Sequence, residues 1–363
     1  MTLARMQATW DADVAAIAAR DLPWHKLSGA RVLVTGAGGF LGGYLARTLL
    51  GLHALGKVDA PVQVVGLVRN AARVHESPAD LAASPHFTPL AWDLNTIGVP
   101  HVGNIDYVLH AASQASPRFY GSDPVGTLLP NTIGTAALLE ALRRATSPKG
   151  FLFVSSSEVY GSVAGEATLA ETSYGNVDPA TVRACYAESK RMGETMCLAW
   201  NQQYGIPTFI VRPFHTYGPG LHANDGRVFA DFVFNVLRNE NIVMHSDGSA
   251  RRAFCYASDA IAGFFSVLLK GTPAQTYNVA NPEGELSVME LAELLVGLSP
   301  EKRLTVVGRH APDSPGYIRS AYSRLVPDVT RLIGLGWSAH LSPAMGFRRM
   351  IDAYADEVDF RTH

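Results

Sequence analysis

A glycine-rich turn sets the tightest limit on how this chain can fold. The segment Thr35-Gly36-Ala37-Gly38-Gly39-Phe40-Leu41-Gly42 joins an apolar strand, RVLVT (31–35), to a helix containing GGYLARTLLGLHAL. Gly36, Gly39 and Gly42 fall in a GxxGxxG spacing. Glycine there allows a tight turn, lets backbone approach an anion closely, and lets helix and strand pack tightly. The N–H groups of Phe40, Leu41 and their neighbours then open the helix toward a pyrophosphate. A glycine triplet alone is weak evidence, because glycine is common in turns. Its position between strand and helix gives it meaning.

The rest of the first two-thirds repeats the same alternation. VQVVGLV (62–68), DYVLHA (106–111), GFLFVSS (150–156) and TFIVRP (208–213) are strand-like, and TIGTAALLEALRRA is a helix between two of them. Strands alternating with helices predict a parallel sheet covered on both faces. The last third is richer in Gly, Pro and short helices (HTYGPGLHANDGRV, FADFVFNVLRNE, SVMELAELLVGL) and returns once to a strand, TYNVAN (276–281). The expected class is α/β: a Rossmann-like doubly wound parallel sheet with a smaller mixed C-terminal substrate lobe. Residues 29–213 and 256–282 form the dinucleotide-binding domain, and 214–255 with 283–363 the lobe. Residues 1–28 form an N-terminal helical extension that ends at Pro23 and packs on the main domain or on a partner subunit.

Bulk properties exclude several alternatives. The net charge is −2, so electrostatic capture of nucleic acid or of an anionic membrane is not expected. No stretch reads as long and apolar enough to span a bilayer, and the N-terminus lacks the pattern of a signal peptide. Cys185, Cys197 and Cys255 form no CxxC pair. They read as packing residues in a reducing cytoplasm, with no disulfide framework and no metal site.

The second strand ends Gly66-Leu67-Val68-Arg69-Asn70, where a carboxylate would read an adenosine ribose. Arg69 stands there instead, which opens NADP beside NAD; a solvated loop arginine is an equal reading. Asp93, beside Leu94 after HFTPLAW, is a candidate acceptor for an adenine amino group or a plain turn residue.

Chemistry concentrates downstream. Tyr186 and Lys190 are spaced i, i+4, so a helix presents both on one face. An ammonium near a phenol, beside an oxidised nicotinamide, lowers the phenol's pKa. The phenolate can then take a hydroxyl proton while hydride leaves the same carbon. Upstream, Ser155-Ser156-Ser157-Glu158-Val159-Tyr160-Gly161 follows a buried strand and offers a hydroxyl to the same substrate oxygen.

At this point the sequence resembles the extended short-chain dehydrogenase/reductases, the NAD-dependent epimerase/dehydratase family acting on nucleotide sugars. It looks most like the UDP-glucuronate decarboxylases (UDP-xylose synthases). The matching runs are His110-Ala111-Ala112-Ser113, Ala115-Ser116-Pro117, Asn131-Thr132-Ile133-Gly134-Thr135 and Ser157-Glu158-Val159-Tyr160-Gly161. Others are Arg183-Ala184-Cys185-Tyr186, Glu188-Ser189-Lys190-Arg191, Asn224-Asp225-Gly226-Arg227-Val228 and Arg252-Ala253-Phe254 before Asp259. The resemblance implies a catalytic set of Tyr186, Lys190, Ser156, Ser157 and Glu158. It implies cofactor contacts from Ala111, Ala112, Ser113, Asn131 and Pro213, besides the glycine turn. It places Ser116, Arg118, Tyr120, His215, Arg227 and Arg252 around a nucleotide sugar, with Arg227 and Arg252 near its diphosphate and Arg252 resembling an arginine that aids protonation or carboxylate binding. A homodimer is implied through helices near 131–145 and 184–203, whose faces including Ala136, Leu139, Leu142, Met192, Met196 and Ala199 permit it, while packing in the chain's own core explains those faces equally well.

The subfamilies differ in chemistry. A 4,6-dehydratase carries an Asp–Glu pair where this chain has Ser157-Glu158, so the acid for a leaving hydroxyl is missing. A plain 4-epimerase usually lacks the glutamate. In the decarboxylase reading, oxidation at C4 turns the C5 carboxylate into a β-keto acid, which loses CO2. Departures from the pattern are His215 for an asparagine, Glu188-Ser189 for Glu-Gly, and Arg118 for an uncharged residue. Epimerisation or dehydration of another nucleotide sugar is the alternative, and a non-catalytic NAD(P)-binding regulator the remote one.

Overall fold

The computed structural model describes residues 2–69, 80–163, 168–308 and 324–355. Asn70 and parts of the expected C-terminal lobe lie outside these. In chain order the first half comprises α1 (Thr2–Ala18), β1 (Arg31–Thr35), α2 (Phe40–Ala54), β2 (Gln63–Val68), α3 (Asp80–Ala83), β3 (Phe87–Ala91) and β4 (Tyr107–His110), then α4 (Arg118–Ser122), α5 (Pro124–Asn131), α6 (Ile133–Arg143) and β5 (Gly150–Val154). The second half comprises α7 (Cys185–Tyr204), β6 (Thr208–Pro213), β7 (His215–Tyr217), α8 (Val228–Leu237), β8 (Ile242–Met244), β9 (Arg251–Tyr256), α9 (Ala257–Lys270) and β10 (Gln275–Val279), followed by β11 (Glu285–Ser287), α10 (Val288–Gly297), β12 (Val306–Gly308), β13 (Arg324–Leu325), α11 (Thr330–Ile333) and α12 (Pro343–Tyr354).

The main sheet has seven strands in the order β10-β6-β5-β4-β1-β2-β3, every pair parallel. Covered on both faces, its central strands are continuous apolar runs rather than alternating ones; all five residues of β5 are buried. Val32, Val34, Leu109, Leu152 and Val154 pack toward α2 and α9. Leu33, Val108, Phe151 and Phe153 pack on the other face toward α6 and α7. The strand order reverses at β1, which sits between β2 and β4, and such a switch point opens a crevice at the carboxyl ends of the strands. Beyond it, β9 is flanked by antiparallel β11 and by parallel β7 and β13, the mixed sheet of the smaller C-terminal region.

Two expectations change. The apolar segment Pro124–Arg143 is, at 20 residues, long and apolar enough to cross a membrane by length and composition, contrary to the sequence reading; it is 56% buried inside the fold and packs as core. It is also two helices, α5 and α6, meeting at Thr132, and α5 starts early because Asp123 caps it by accepting the Gly126 N–H at 3.0 Å. Leu139 and Leu142 are fully buried in the chain's own core, so they are not available to a dimer face, whereas Met192 is 49% exposed. The three cysteines are buried and free.

The N-terminal helix packs on the main body. Met6, Trp10, Val14 and Ile17 are buried against α2, α9 and α12. Asp13, fully buried, accepts from the Tyr44 and Tyr256 hydroxyls at 2.8 and 2.9 Å and pairs with Arg349 at 3.2 Å.

Candidate active site

The turn after β1 fits a dinucleotide. Gly36 has φ +66°, and a Cβ there would lie 3.1 Å from the Ala112 Cα. A Cβ on Gly42 would collide with the Gly36 carbonyl oxygen, so helix and turn touch backbone to backbone. Gly39 caps α2 without a side-chain hydrogen bond, and no acidic residue occupies the first turn. The helix dipole and its N–H groups are therefore available to an anion. Thr35 Oγ1 accepts the Ala112 N–H at 3.0 Å and pairs with His110 Nδ1 at 2.8 Å, which ties β1 to β4 at the mouth of the crevice. Burial, then Lys190's charge, push the His110 pKa down to about 3, so this histidine is neutral scaffolding.

Arg69 is exposed at the end of β2. It helps hold the Asp123 carboxyl below its usual range, after hydrogen bonds from Gln114 and the Gly126 N–H. Asp93 Oδ1 accepts the Asn95 N–H at 3.0 Å, the turn role, and Leu94 packs on Gly134. Pro213 ends β6 opposite Val279.

The catalytic candidates meet where β5 ends and α7 begins. Ser155 is drawn away: its hydroxyl donates to Glu194 at 2.6 Å, and Glu194 is clamped by Arg212 at 2.8 and 2.6 Å. Ser156 caps a single 3-10 turn by accepting the Glu158 N–H at 3.2 Å. Its hydroxyl also faces the Tyr186 phenol, as does that of Ser113. Ser113 Oγ makes no hydrogen bond of normal geometry among the described residues. Ser157 is buried beside them.

Tyr186 and Lys190 share the face of α7 that their spacing predicts. Lys190 Nζ lies 5.8 Å from the centre of the Tyr186 ring and donates to the Val154 carbonyl at 2.7 Å. Burial wins over the polar neighbours and pushes the Tyr186 pKa up to about 12, while burial pulls Lys190 down to about 7. A phenol so shifted is protonated at neutral pH. Asn131 donates to Ser189 at 3.1 Å from α5, and its Oδ1 has no partner among the described residues.

Around the phenol lies a charged wall. Tyr120 stacks on Tyr186 with ring centres 5.1 Å apart and planes 15° apart, and its hydroxyl donates to the Ala115 carbonyl at 3.1 Å. Burial raises the Glu158 pKa, opposed by Arg183 and then Arg252. Arg252 is buried and donates to the Arg251 carbonyl at 2.7 Å. Arg227 is held by Asp225 in a two-point pair at 2.5 and 2.9 Å. Arg118 is exposed and donates to the Asn224 carbonyl, and Ser116 donates to the Asp225 carbonyl. These two bonds zip the loop before α4 to the loop before α8. His215, edge-on to Phe254 at 5.7 Å, is pushed down to about 3 by burial and by Arg252 and Arg227; its Nδ1 has no partner among the described residues.

Ser113, Ser156, Glu158, Tyr120, Tyr186, Arg227, Arg252 and His215 thus form one chain of neighbours around the phenol. Arg118 and Asp93 do not reach the phenol's surroundings. Sequence reasoning gave no role to Arg183, three residues before Tyr186, or to the Glu194–Arg212 pair behind Lys190. Only the i, i+4 spacing of Lys190 and Glu194 could have pointed to the latter. Among the described residues no group of three His, Cys, Asp or Glu side chains could hold a metal.

A parallel sheet with a glycine-turn anion site, facing a buried tyrosine–lysine pair, defines a dinucleotide-binding oxidoreductase scaffold. The chain belongs to the NAD dependent epimerase/dehydratase family, whose model matches residues 32–280. It is 33% identical over 336 residues to UDP-glucuronic acid decarboxylase 6 of Arabidopsis thaliana, covering 92% of this chain and 90% of that one. It is 31% identical over 336 residues to UDP-glucuronic acid decarboxylase 1 of Danio rerio, covering 92% and 74%. Among solved structures, the UDP-glucuronic acid 4-epimerase of Bacillus cereus, in complex with UDP-glucuronic acid and NAD, superposes with a TM-score of 0.75 at 24% identity, covering 90% of this chain and 99% of that one. The dTDP-glucose 4,6-dehydratase of Bacillus anthracis gives 0.70 at 19%, covering 91% and 98%.

Proposed function

We propose that this protein decarboxylates a UDP-linked uronic acid, UDP-glucuronate in the first instance, by transient oxidation at C4. The observation that carries the reading is Glu158, a half-buried carboxylate near the Tyr186 phenol and set against Arg183 and Arg252. The decarboxylase relatives support it at the level of sequence.

NAD held at the turn of Gly36, Gly39 and Gly42 would supply reversible hydride acceptance at C4, and its positive ring would favour the ionised form of the phenol. Tyr186 takes the C4 hydroxyl proton, Ser156 orients that oxygen, and Lys190 stabilises the phenolate. The 4-keto uronate is a β-keto acid. Its C5–carboxyl bond breaks, CO2 leaves, and a proton replaces it at C5. Glu158, whose pKa burial raises against the pull of Arg183 and Arg252, is the side chain placed to manage that proton. The Tyr186 proton returns to the C4 oxygen as the hydride returns to C4. The balance is UDP-glucuronate plus one proton giving a UDP-pentose and CO2, with no net change in cofactor.

The same reading places the enzyme in the cytoplasm as a homodimer. Its contact would use the α6–α7 face, where Met192, Leu198 and Ala199 are exposed. NAD is preferred over NADP, because Arg69, which stands where an arginine could take the extra phosphate, is exposed to solvent. Incubation with NAD and UDP-glucuronate, followed by CO2 capture and chromatography, tests the reaction. A UDP-pentose without accumulated NADH is expected. UDP-galacturonate as the sole product would make the enzyme an epimerase, and a 4-keto product from a hexose nucleotide would make it a dehydratase.

A further inference from the structure

Three arginines, Arg183, Arg227 and Arg252, surround Glu158 and the Tyr186 phenol, with Arg118 farther out, and their existing partners separate them. Arg118 is exposed and spent on the Asn224 carbonyl. Arg227 is neutralised by Asp225 through two nitrogens. Arg252 donates to the Arg251 carbonyl. Arg183 differs: its Nη1 is buried and has no hydrogen-bond partner among the described residues. A buried guanidinium nitrogen left unpaired is costly, so such a group is commonly completed by a ligand.

Its place is defined by the rings beside it. The Arg183 guanidinium carbon lies 5.8 Å from the centre of the Tyr120 ring, and Tyr120 stacks on Tyr186 at 5.1 Å. Arg183 precedes α7 on a short 3-10 turn (Val182–Ala184), so the helix that carries Tyr186 also fixes its backbone. We infer that Arg183 receives the carboxylate of the substrate sugar and is the residue by which the site selects an acidic sugar over a neutral one. The inference rests on the nucleotide-uronate reading above. Glu158 alone would repel a second carboxylate. Arg183 and Arg252 together leave the wall with one net positive charge, enough for one substrate carboxylate. Losing CO2 removes that negative charge from beside Glu158, which relieves the repulsion in the direction of reaction.

UDP-glucuronate and UDP-xylose differ by the carboxylate alone, so calorimetric titration with each of the NAD-saturated Tyr186→Phe protein, in which turnover is blocked, isolates the contact, and the substitutions that follow are made in that background. Arg183→Met should weaken UDP-glucuronate about ten-fold or more, the worth of a charge-assisted hydrogen bond, and leave UDP-xylose within two-fold. Arg183→Lys should restore part of the loss, because it keeps the charge but not the fork. Equal losses for both ligands, or none for either, would overturn the inference. So would a loss that vanishes when Glu158→Gln is added, since Arg183 would then serve only to neutralise Glu158. Arg183→Gln repeats the test should the Met variant be unstable. If the Tyr186→Phe protein itself does not distinguish UDP-glucuronate from UDP-xylose, the nucleotide-uronate reading fails first, and visibly so.

Discussion

The two walls of the crevice are made of different materials. On the cofactor side, the work is done by backbone: Gly36, Gly39 and Gly42 let a turn and a helix end approach an anion, with no charged side chain in the first turn. On the substrate side, Tyr186, Lys190, Glu158, Arg183, Arg252 and His215 gather from four separate stretches of chain. Several carry displaced pKa values or unpaired buried atoms. The first wall is complete without ligand. The second gathers groups with shifted pKa values and unpaired buried atoms, the pattern expected where chemistry occurs.

The strongest break in that contrast is at Tyr186. Tyr186→Phe keeps the ring stacked on Tyr120 and removes only the acid–base group, so kcat should fall by about 10²- to 10⁴-fold with cofactor affinity little changed. Pre-steady-state turnover with UDP-glucuronate measures it. A variant with the full rate would place the proton transfer elsewhere. On the opposite wall, Gly42→Ala drives a methyl into the Gly36 carbonyl and must separate helix from turn. NAD affinity should fall on the order of 100-fold, as expected when a binding constellation shifts by about an ångström. The measurement is protein-fluorescence titration. An unchanged Kd would mean that the turn does not cradle the pyrophosphate.

The asymmetry also explains what the sequence disclosed. The glycine turn, the strand alternation and the Tyr186–Lys190 spacing are local patterns, and each reappears in the fold. Convergence is not local. Arg183 sits in plain view before Tyr186, but its role depends on which guanidinium nitrogen is left unpaired, and that follows from packing. Glu158 was recognisable as unusual from Ser157-Glu158, whereas its arginine neighbours come from residues 183 and 252. Asp13 was missed because its partners Tyr44, Tyr256 and Arg349 are spread over most of the chain.

Lys190 sharpens the contrast through stability. Its pKa is about 7 in the folded protein against an ordinary 10.5, because burial penalises the charged form. Below pH 7 both folded and unfolded chains carry the proton and the penalty is full. Above about 10.5 neither does and it is gone. Stability of the native protein relative to Lys190→Met should therefore rise as pH climbs from 7 to 10. Urea midpoints at the two pH values would show it. Parallel curves would mean that the Val154 carbonyl and Glu194 offset the burial of the ammonium.

The smallest effect belongs to Arg69, a charged side chain at the end of β2 on the backbone-built wall. It is exposed, so any attraction to a ribose phosphate acts through water and is worth at most about 1 kcal/mol. Its competing neighbour is Asp123, whose carboxyl it already helps to keep ionised. Arg69→Ala should leave the Kd for NAD within two-fold and raise that for NADP by at most about five-fold, the fold-change equivalent of that energy. The difference should shrink further at 0.5 M salt, where the Debye length is only about 4 Å. Fluorescence titration with both cofactors at two salt concentrations measures all four values. A ratio unmoved by the substitution would leave ribose discrimination to backbone and shape alone, making the cofactor wall free of charged readout altogether. A ratio that changed by much more than five-fold would show that Arg69 swings into a shielded position when the dinucleotide binds, and the division between a backbone wall and a side-chain wall would fail at that residue.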